Sequence, residues 1–223
     1  LDMALNKNRF VNELLHGYGI SIDSPIPYGI INESSDKIKS LGRDGALAIL
    51  ADAGWKLNAD GIMEKKDKKS TQILEFSITT ADMPELKKAA EIVKTEWESI
   101  GARITIKIFE YGDLSQNVIK TRKYDALLFG EFIGKDLDLY AFWHSSQRNS
   151  PGLNVSMYVN SKTDKILEMA RETTDEGKRE KAYLDFEKII KDEIPAIFLY
   201  SPEYIYLIPE KIKGINFVQI TTP

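Results

Sequence analysis

Ile73-Leu74-Glu75-Phe76-Ser77-Ile78-Thr79, Arg103-Ile104-Thr105-Ile106-Lys107-Ile108-Phe109 and Ala126-Leu127-Leu128-Phe129 decide the fold. The first alternates Leu74, Phe76 and Ile78 against Ile73, Glu75, Ser77 and Thr79, and the second alternates isoleucines against Arg103, Thr105 and Lys107. Both are strand patterns. The third is continuously apolar, which predicts a strand buried on both faces. Between the first two, Asp82-x-x-Glu85 with Pro84 predicts a helix start. Leu86, Ala89, Ala90, Val93, Trp97 and Ile100 then follow helical spacing as far as Gly101. A helix over about 113–122 leads into the third strand. Strand, helix, strand, helix, strand predicts an α/β fold, a mixed β-sheet flanked by helices.

Outward from this centre, a helix is predicted over about 3–16, ending near Gly17 and Gly19, with a loop from Ser24 to Gly29. Another, about 44–53, closes at Gly54. The run Lys65-Lys66-Asp67-Lys68-Lys69 reads as a solvated hairpin or loop tip. Ser161-x-x-Asp164 predicts the cap of a helix carrying Ile166, Leu167 and Ala170. Asp175 predicts the cap of one carrying Tyr183, Phe186, Ile189 and Ile190. Two last apolar segments, Ile194 to Tyr200 and Tyr204 to Ile208, suggest a hairpin or a strand turning a corner at Ser201-Pro202-Glu203. No repeat or low-complexity linker interrupts the chain, so residues 1–223 are expected to form a single domain.

Charge and composition remove several function classes. With 30 basic and 34 acidic residues the formal net charge is −4, which argues against non-specific nucleic-acid binding. The absence of cysteine excludes thiolate metal sites and thiol nucleophiles. His16 and His144 stand far apart with no partner at ligand spacing, so no metal and no cofactor is expected. No phosphate loop and no nucleophile elbow is present. No apolar run is long enough to span a bilayer. Both ends read as cut: Leu1 begins inside a helical pattern, and the last apolar stretch stops at Pro223.

The segment from Gly130 to Gln147 has the mixture expected of a binding site, and it follows a strand whose carboxyl end is where open α/β sheets place ligands. Gly130 and Gly134 allow close approach to the backbone. Glu131, Asp136 and Asp138 are anionic acceptors, Tyr140, Phe142 and Trp143 are flat apolar walls, and His144 is a polar neighbour. The same residues read equally well as core aromatics and helix-capping acids.

Several stretches, in order, carry a family resemblance. They include Met3-Ala4-Leu5-Asn6-Lys7-Asn8-Arg9 with Gly17-Tyr18-Gly19, Ala46-Leu47-Ala48-Ile49-Leu50-Ala51-Asp52-Ala53-Gly54-Trp55, and Tyr124-Asp125-Ala126-Leu127-Leu128-Phe129-Gly130. Asp136-Leu137-Asp138 to Trp143-His144-Ser145-Ser146, Asn154-Val155-Ser156-Met157-Tyr158-Val159-Asn160 and Glu193-Ile194-Pro195-Ala196-Ile197-Phe198-Leu199-Tyr200 follow. The chain resembles the C-terminal lobe of family 5 extracellular solute-binding proteins, the oligopeptide- and dipeptide-binding components of bacterial ABC importers.

That resemblance implies one lobe of a type II periplasmic-binding-protein-like clamshell, with the N-terminal lobe absent from this sequence. It implies a non-catalytic receptor outside the cell or in the periplasm, often lipid-anchored, that delivers solute to a membrane permease. It also implies that Gly130, Glu131, Phe132 and Ile133 lie along a peptide backbone. Glu131 stands where the family usually has tryptophan, Gly134 falls near the position of its amino-pairing aspartate, and Asp136-Leu137 replaces Asp-Pro. Glu131 or Asp136 remains able to neutralise an ammonium. Two other readings stay open: an oligosaccharide or other small solute stacked on Tyr140 or Trp143, and, more remotely, a hydrolase using Glu131, Asp136 or Asp138. An isolated lobe is expected to bind weakly and to self-associate weakly through its exposed face.

Overall fold

The computed structural model describes residues 1–26, 31, 40–134, 137–205, 207–209 and 211–214. The first element is helical but broken. A single turn, Asp2–Ala4, is followed by α1 (Lys7–Arg9), which widens into the π-helical turns Phe10–Leu14. Ala4, Leu5 and Phe10 are all buried, yet at 100° per residue they point to different sides of a straight helix. The break at Leu5 and Asn6 lets all three reach one core, in place of the uninterrupted helix that 3–16 suggests.

Strand β1 (Gly19–Ser21) follows, then α2 (Gly42–Asp52), which stops at Gly54 with φ of +86° as its sequence predicts. Strands β2 (Lys56–Leu57), β3 (Met63–Lys66) and β4 (Thr71–Ile73) form an antiparallel sheet in the order β2-β3-β4. The lysine run covers the end of β3 and the turn into β4, where the Asp67 N–H donates to the Ser70 carbonyl. Charged side chains at this tip remain solvated.

The parallel sheet is built from β5 (Glu75–Ala81), α3 (Pro84–Ser99), β6 (Arg103–Phe109), α4 (Tyr111–Asp113) continued by π-helical turns Leu114–Ile119, and β7 (Ala126–Leu127). Its order is β6-β5-β7. Glu75 pairs with Arg103 and Ala81 with Phe109 across β5 and β6, while Ile78 and Thr79 pair with Ala126 and Leu127. Because β5 is central, Ser77, Thr79 and Thr80 are buried as fully as Ile78, so the polar side of its alternation does not face solvent. Ser77 donates its hydroxyl to Asp125, and Thr80 donates to the Leu128 carbonyl. Strand β7 corrects the opposite expectation. It is an edge strand, Ala126 to Leu128 are half-buried, and Phe129 is 38% exposed.

Pro84 opens α3, but Asp82 does not cap it. Its carboxylate pairs with Lys87 at 2.5 Å instead. Beyond the sheet come the short helix α5 (Tyr140–Trp143), then α6 (Ser161–Glu172) and α7 (Glu176–Glu193). The cap of α6 is Asn160, whose side chain accepts from the N–H groups of Lys162 and Thr163. Ser161 lies inside the helix, and Asp164 reaches back to Ser145. Asp175 caps α7 as expected. Strand β8 (Tyr200–Pro202) pairs antiparallel with β1, so among the described residues the late apolar segments form no hairpin with each other.

Among the described residues, parallel and antiparallel pairings are thus both present, in three small sheets around three apolar clusters. The first joins the N-terminal turns to α3, Ile78 and Ile104. The second packs Leu139, Trp143, Tyr158, Leu167, Phe186 and Ile190. The third is Ala81, Leu114 and Val118 at the carboxyl end of β5.

Candidate functional site

At the carboxyl ends of β6 and β7 the surface opens into a cleft of about 210 Å³ lined by Tyr111, Leu114, Ser115, Ile119, Phe129, Glu131, Phe142, Leu153 and Val155. Three parts of the chain form its walls, and Phe142 of α5 adds a ring from a fourth. The first begins where β6 ends: the Glu110 carboxylate accepts from the N–H groups of Gly112 and Asp113 at 2.8 and 3.2 Å. That cap starts the helix whose Leu114 is buried beneath the cleft.

The second wall, 152–155, is irregular and is held by side chains donating to its carbonyls. Arg122, with φ of +55°, ends the helical turns. Its guanidinium donates to the carbonyls of Ile119 at 2.6 Å, Arg148 at 3.0 Å and Gly152 at 2.7 Å. Tyr124 donates its hydroxyl to the Val155 carbonyl at 2.5 Å. Asn154 is fully buried: its amide donates to the carbonyls of Trp143, His144 and Tyr158, and its oxygen accepts from Ser156 and from the Tyr158 N–H.

The third wall is the segment after β7. Leu128 is still bonded to Thr79, but the backbone groups of 129–133 bond to no other described residue. A side chain added at Gly130 or Gly134 would meet nothing within 4 Å. Glu131 turns into the cleft. The residue as a whole is exposed, yet it lines the largely apolar cleft, and burial pushes its carboxyl up to about 7.

The remaining residues singled out in the sequence lie elsewhere. Phe132 is 65% exposed outside the cleft, and Ile133 packs against the second cluster. Asp136 lies outside the described residues. Asp138 is held by Arg171 at 2.5 Å and accepts from the Tyr140 N–H. The Tyr140 ring is already stacked on His144, with centroids 4.1 Å apart, and carries the Arg171 guanidinium at 4.1 Å. Trp143 is 3% exposed, among Tyr158, Phe186 and Phe198. His144 is buried: its Nδ1 accepts from the Ser146 N–H, and its Nε2 lies 3.4 Å from Glu168. Trp143 and Tyr140 therefore present no free platform for a sugar ring.

Of the residues chosen from sequence, the cleft gathers Glu131 with Phe142. Tyr111, Leu114, Ser115, Ile119, Leu153 and Val155 went unnoticed. For the first four a signal existed, since the rule that points beyond β7 points equally beyond β6. Leu153 and Val155 arrive only through long-range side-chain bonds. Among the described residues no group of His, Asp and Glu is disposed to hold a metal ion.

Residues 1–152 match the family described as bacterial extracellular solute-binding proteins, family 5 Middle. Over 97% of its length the chain is 27% identical to the oligopeptide-binding protein AppA of Bacillus subtilis, and over 96% it is 22% identical to the dipeptide-binding protein of Escherichia coli. It spans about 40% of the length of these relatives. The structure of AppA in complex with a nonapeptide superposes with a TM-score of 0.80, covering 90% of this chain and 40% of AppA. NikZ from Campylobacter jejuni, in complex with Ni(L-His), superposes at 0.76 with 29% identity over 90% of this chain and 40% of NikZ. The family match takes in the parallel sheet and the cleft's lining as far as Phe142, and with it this chain belongs to the family 5 bacterial extracellular solute-binding proteins.

Proposed function

We propose that this chain is one lobe of a two-lobed receptor that closes on a peptide or peptide-like solute and delivers it to a membrane permease. The observation that carries this reading is the segment 129–133. Its backbone donors and acceptors are open, glycines flank it at 130 and 134, and an apolar cleft lies beside it. An extended peptide adds to such a segment through main-chain bonds, with a pocket reading its side chains. The role is binding without chemistry: Asp138 is tied to Arg171, and His144 is packed into the fold. Proteins of this family work outside the cell or in the periplasm, and no described helix is long and apolar enough to cross a membrane. Attachment of the whole protein by a lipid belongs to this proposal.

Calorimetric titration of the full-length protein containing these residues with pooled short peptides tests the reading. Heat and a raised melting temperature with some pools are expected. Silence with every pool overturns it.

A further inference from the structure

Resting on that peptide-receptor reading, we propose that the cleft beside Glu131 is a side-chain pocket selective for a basic residue, its alkyl stem lying along the apolar walls and its cationic head on the Glu131 carboxylate. Glu131 enters the cleft whereas Phe132 is exposed outside it. A peptide running along 129–133 projects alternate side chains to opposite sides, so one of them is delivered into the cleft.

The lining then specifies what fits. Leu114, Ile119, Phe129 and Phe142 offer hydrocarbon and ring surface, and the volume of about 210 Å³ is ample for a lysine or arginine side chain. Glu131 is the one ionisable carboxyl among the lining residues. Only burial shifts it, and no charge among the described residues acts on it. A carboxylate in apolar surroundings is costly when unpaired and becomes favourable with a cation donating hydrogen bonds to it. A peptide's amino terminus carries the same kind of charge but has no stem to occupy the apolar walls, and this favours the side chain.

The test uses the full-length protein and alanine pentapeptides carrying lysine, Nε-acetyl-lysine or norleucine at each of the three interior positions, all with free termini. At one position lysine is expected to bind at least about tenfold more tightly than norleucine or acetyl-lysine, which corresponds to about 1.4 kcal/mol. Glu131→Gln should abolish that preference, lysine falling to the level of norleucine in the same variant. Calorimetry of the unmutated protein near pH 6.5 in buffers of different ionisation enthalpy should register proton release with lysine alone. Equal binding of all three peptides, weakened together by Glu131→Gln, would assign the carboxylate to the amino terminus and overturn the pocket while sparing the peptide receptor. Persistence of the lysine preference in Glu131→Gln would also overturn it. Failure of every peptide to bind removes the receptor reading itself.

Discussion

The Asp125 carboxylate accepts both the N–H and the hydroxyl of Ser77, at 2.9 and 2.6 Å, joining the start of β7 to the central strand. These two bonds hold its acid below the usual aspartate range. They also set the direction in which the chain leaves the sheet toward Glu131.

Asp125→Ala leaves the buried Ser77 hydroxyl and N–H without their acceptor, and should destabilise the protein by about 1–3 kcal/mol. Since the folded value lies below the unfolded one, this stabilisation is present above pH 3.8 and is lost as the pH falls through the folded value. Chemical denaturation at pH 7 and pH 3 checks both statements. The difference between the mutant and the unmutated protein should shrink in acid.

Arg122 is expected to matter through its three carbonyl bonds. Arg122→Ala should cost about 2 kcal/mol, and it keeps a non-glycine residue at φ of +55°. Arg122→Gly loses the same bonds but relieves that conformation, so it should be more stable than Arg122→Ala by about 1 kcal/mol. Hydrogen exchange should show the Asn154 N–H, which donates to Gln147, opening faster in both.

Asn154→Asp is nearly isosteric but turns a negative group toward three carbonyl oxygens. We expect a loss of several kcal/mol at pH 7. Burial raises the acid's folded value, so stability should be recovered as the pH is lowered, opposite to the trend that Asp125 imposes. Melting temperatures at pH 4.5 and 7.5 decide it.

The helices α3, α6 and α7, the strands β5 and β6, and the stops at Gly54 and Gly101 were legible because each is written in local periodicity or a left-handed glycine. The burial of Ser77 and Thr79 was not: their alternation is that of an exposed face, and only the two neighbouring strands make β5 central. Nor was the capping of α6, where Asn160 outcompetes Ser161 one residue later. The cleft was half legible. Glu131 and Phe142 sit in a conspicuous segment, whereas Leu153 and Val155 are brought in by Arg122, Tyr124 and Asn154, contacts that no spacing rule encodes.

Glu131 has a folded value near 7, above its ordinary 4.5. Stability from this group is fully present below pH 4.5 and declines as the pH rises through about 7. Glu131→Gln should remove that decline and raise the melting temperature at pH 8 while leaving it nearly unchanged at pH 4. Carbon-13 NMR of the Glu131 carboxyl should titrate near 7.

If this chain is one lobe of two, as proposed above, the 223 residues by themselves should bind peptide at least about 100-fold more weakly than the full-length protein, because closure of both lobes would supply much of the buried surface. Parallel calorimetry on the two proteins measures the difference; micromolar binding by the isolated chain would contradict the clamshell reading.

The pairing of β1 with β8 sets an order for biosynthesis. Ser21 and Tyr200 lie roughly 180 residues apart yet face each other across one ladder, and the Phe10 and Tyr200 rings stack at 5.7 Å beside it. On a ribosome the first strand emerges long before its partner exists, so Gly19 to Ser21 must wait as an unpaired edge while the parallel sheet, whose contacts are nearer in sequence, forms first. Closing so long a loop is slow, so this ladder is expected to be among the last contacts to form.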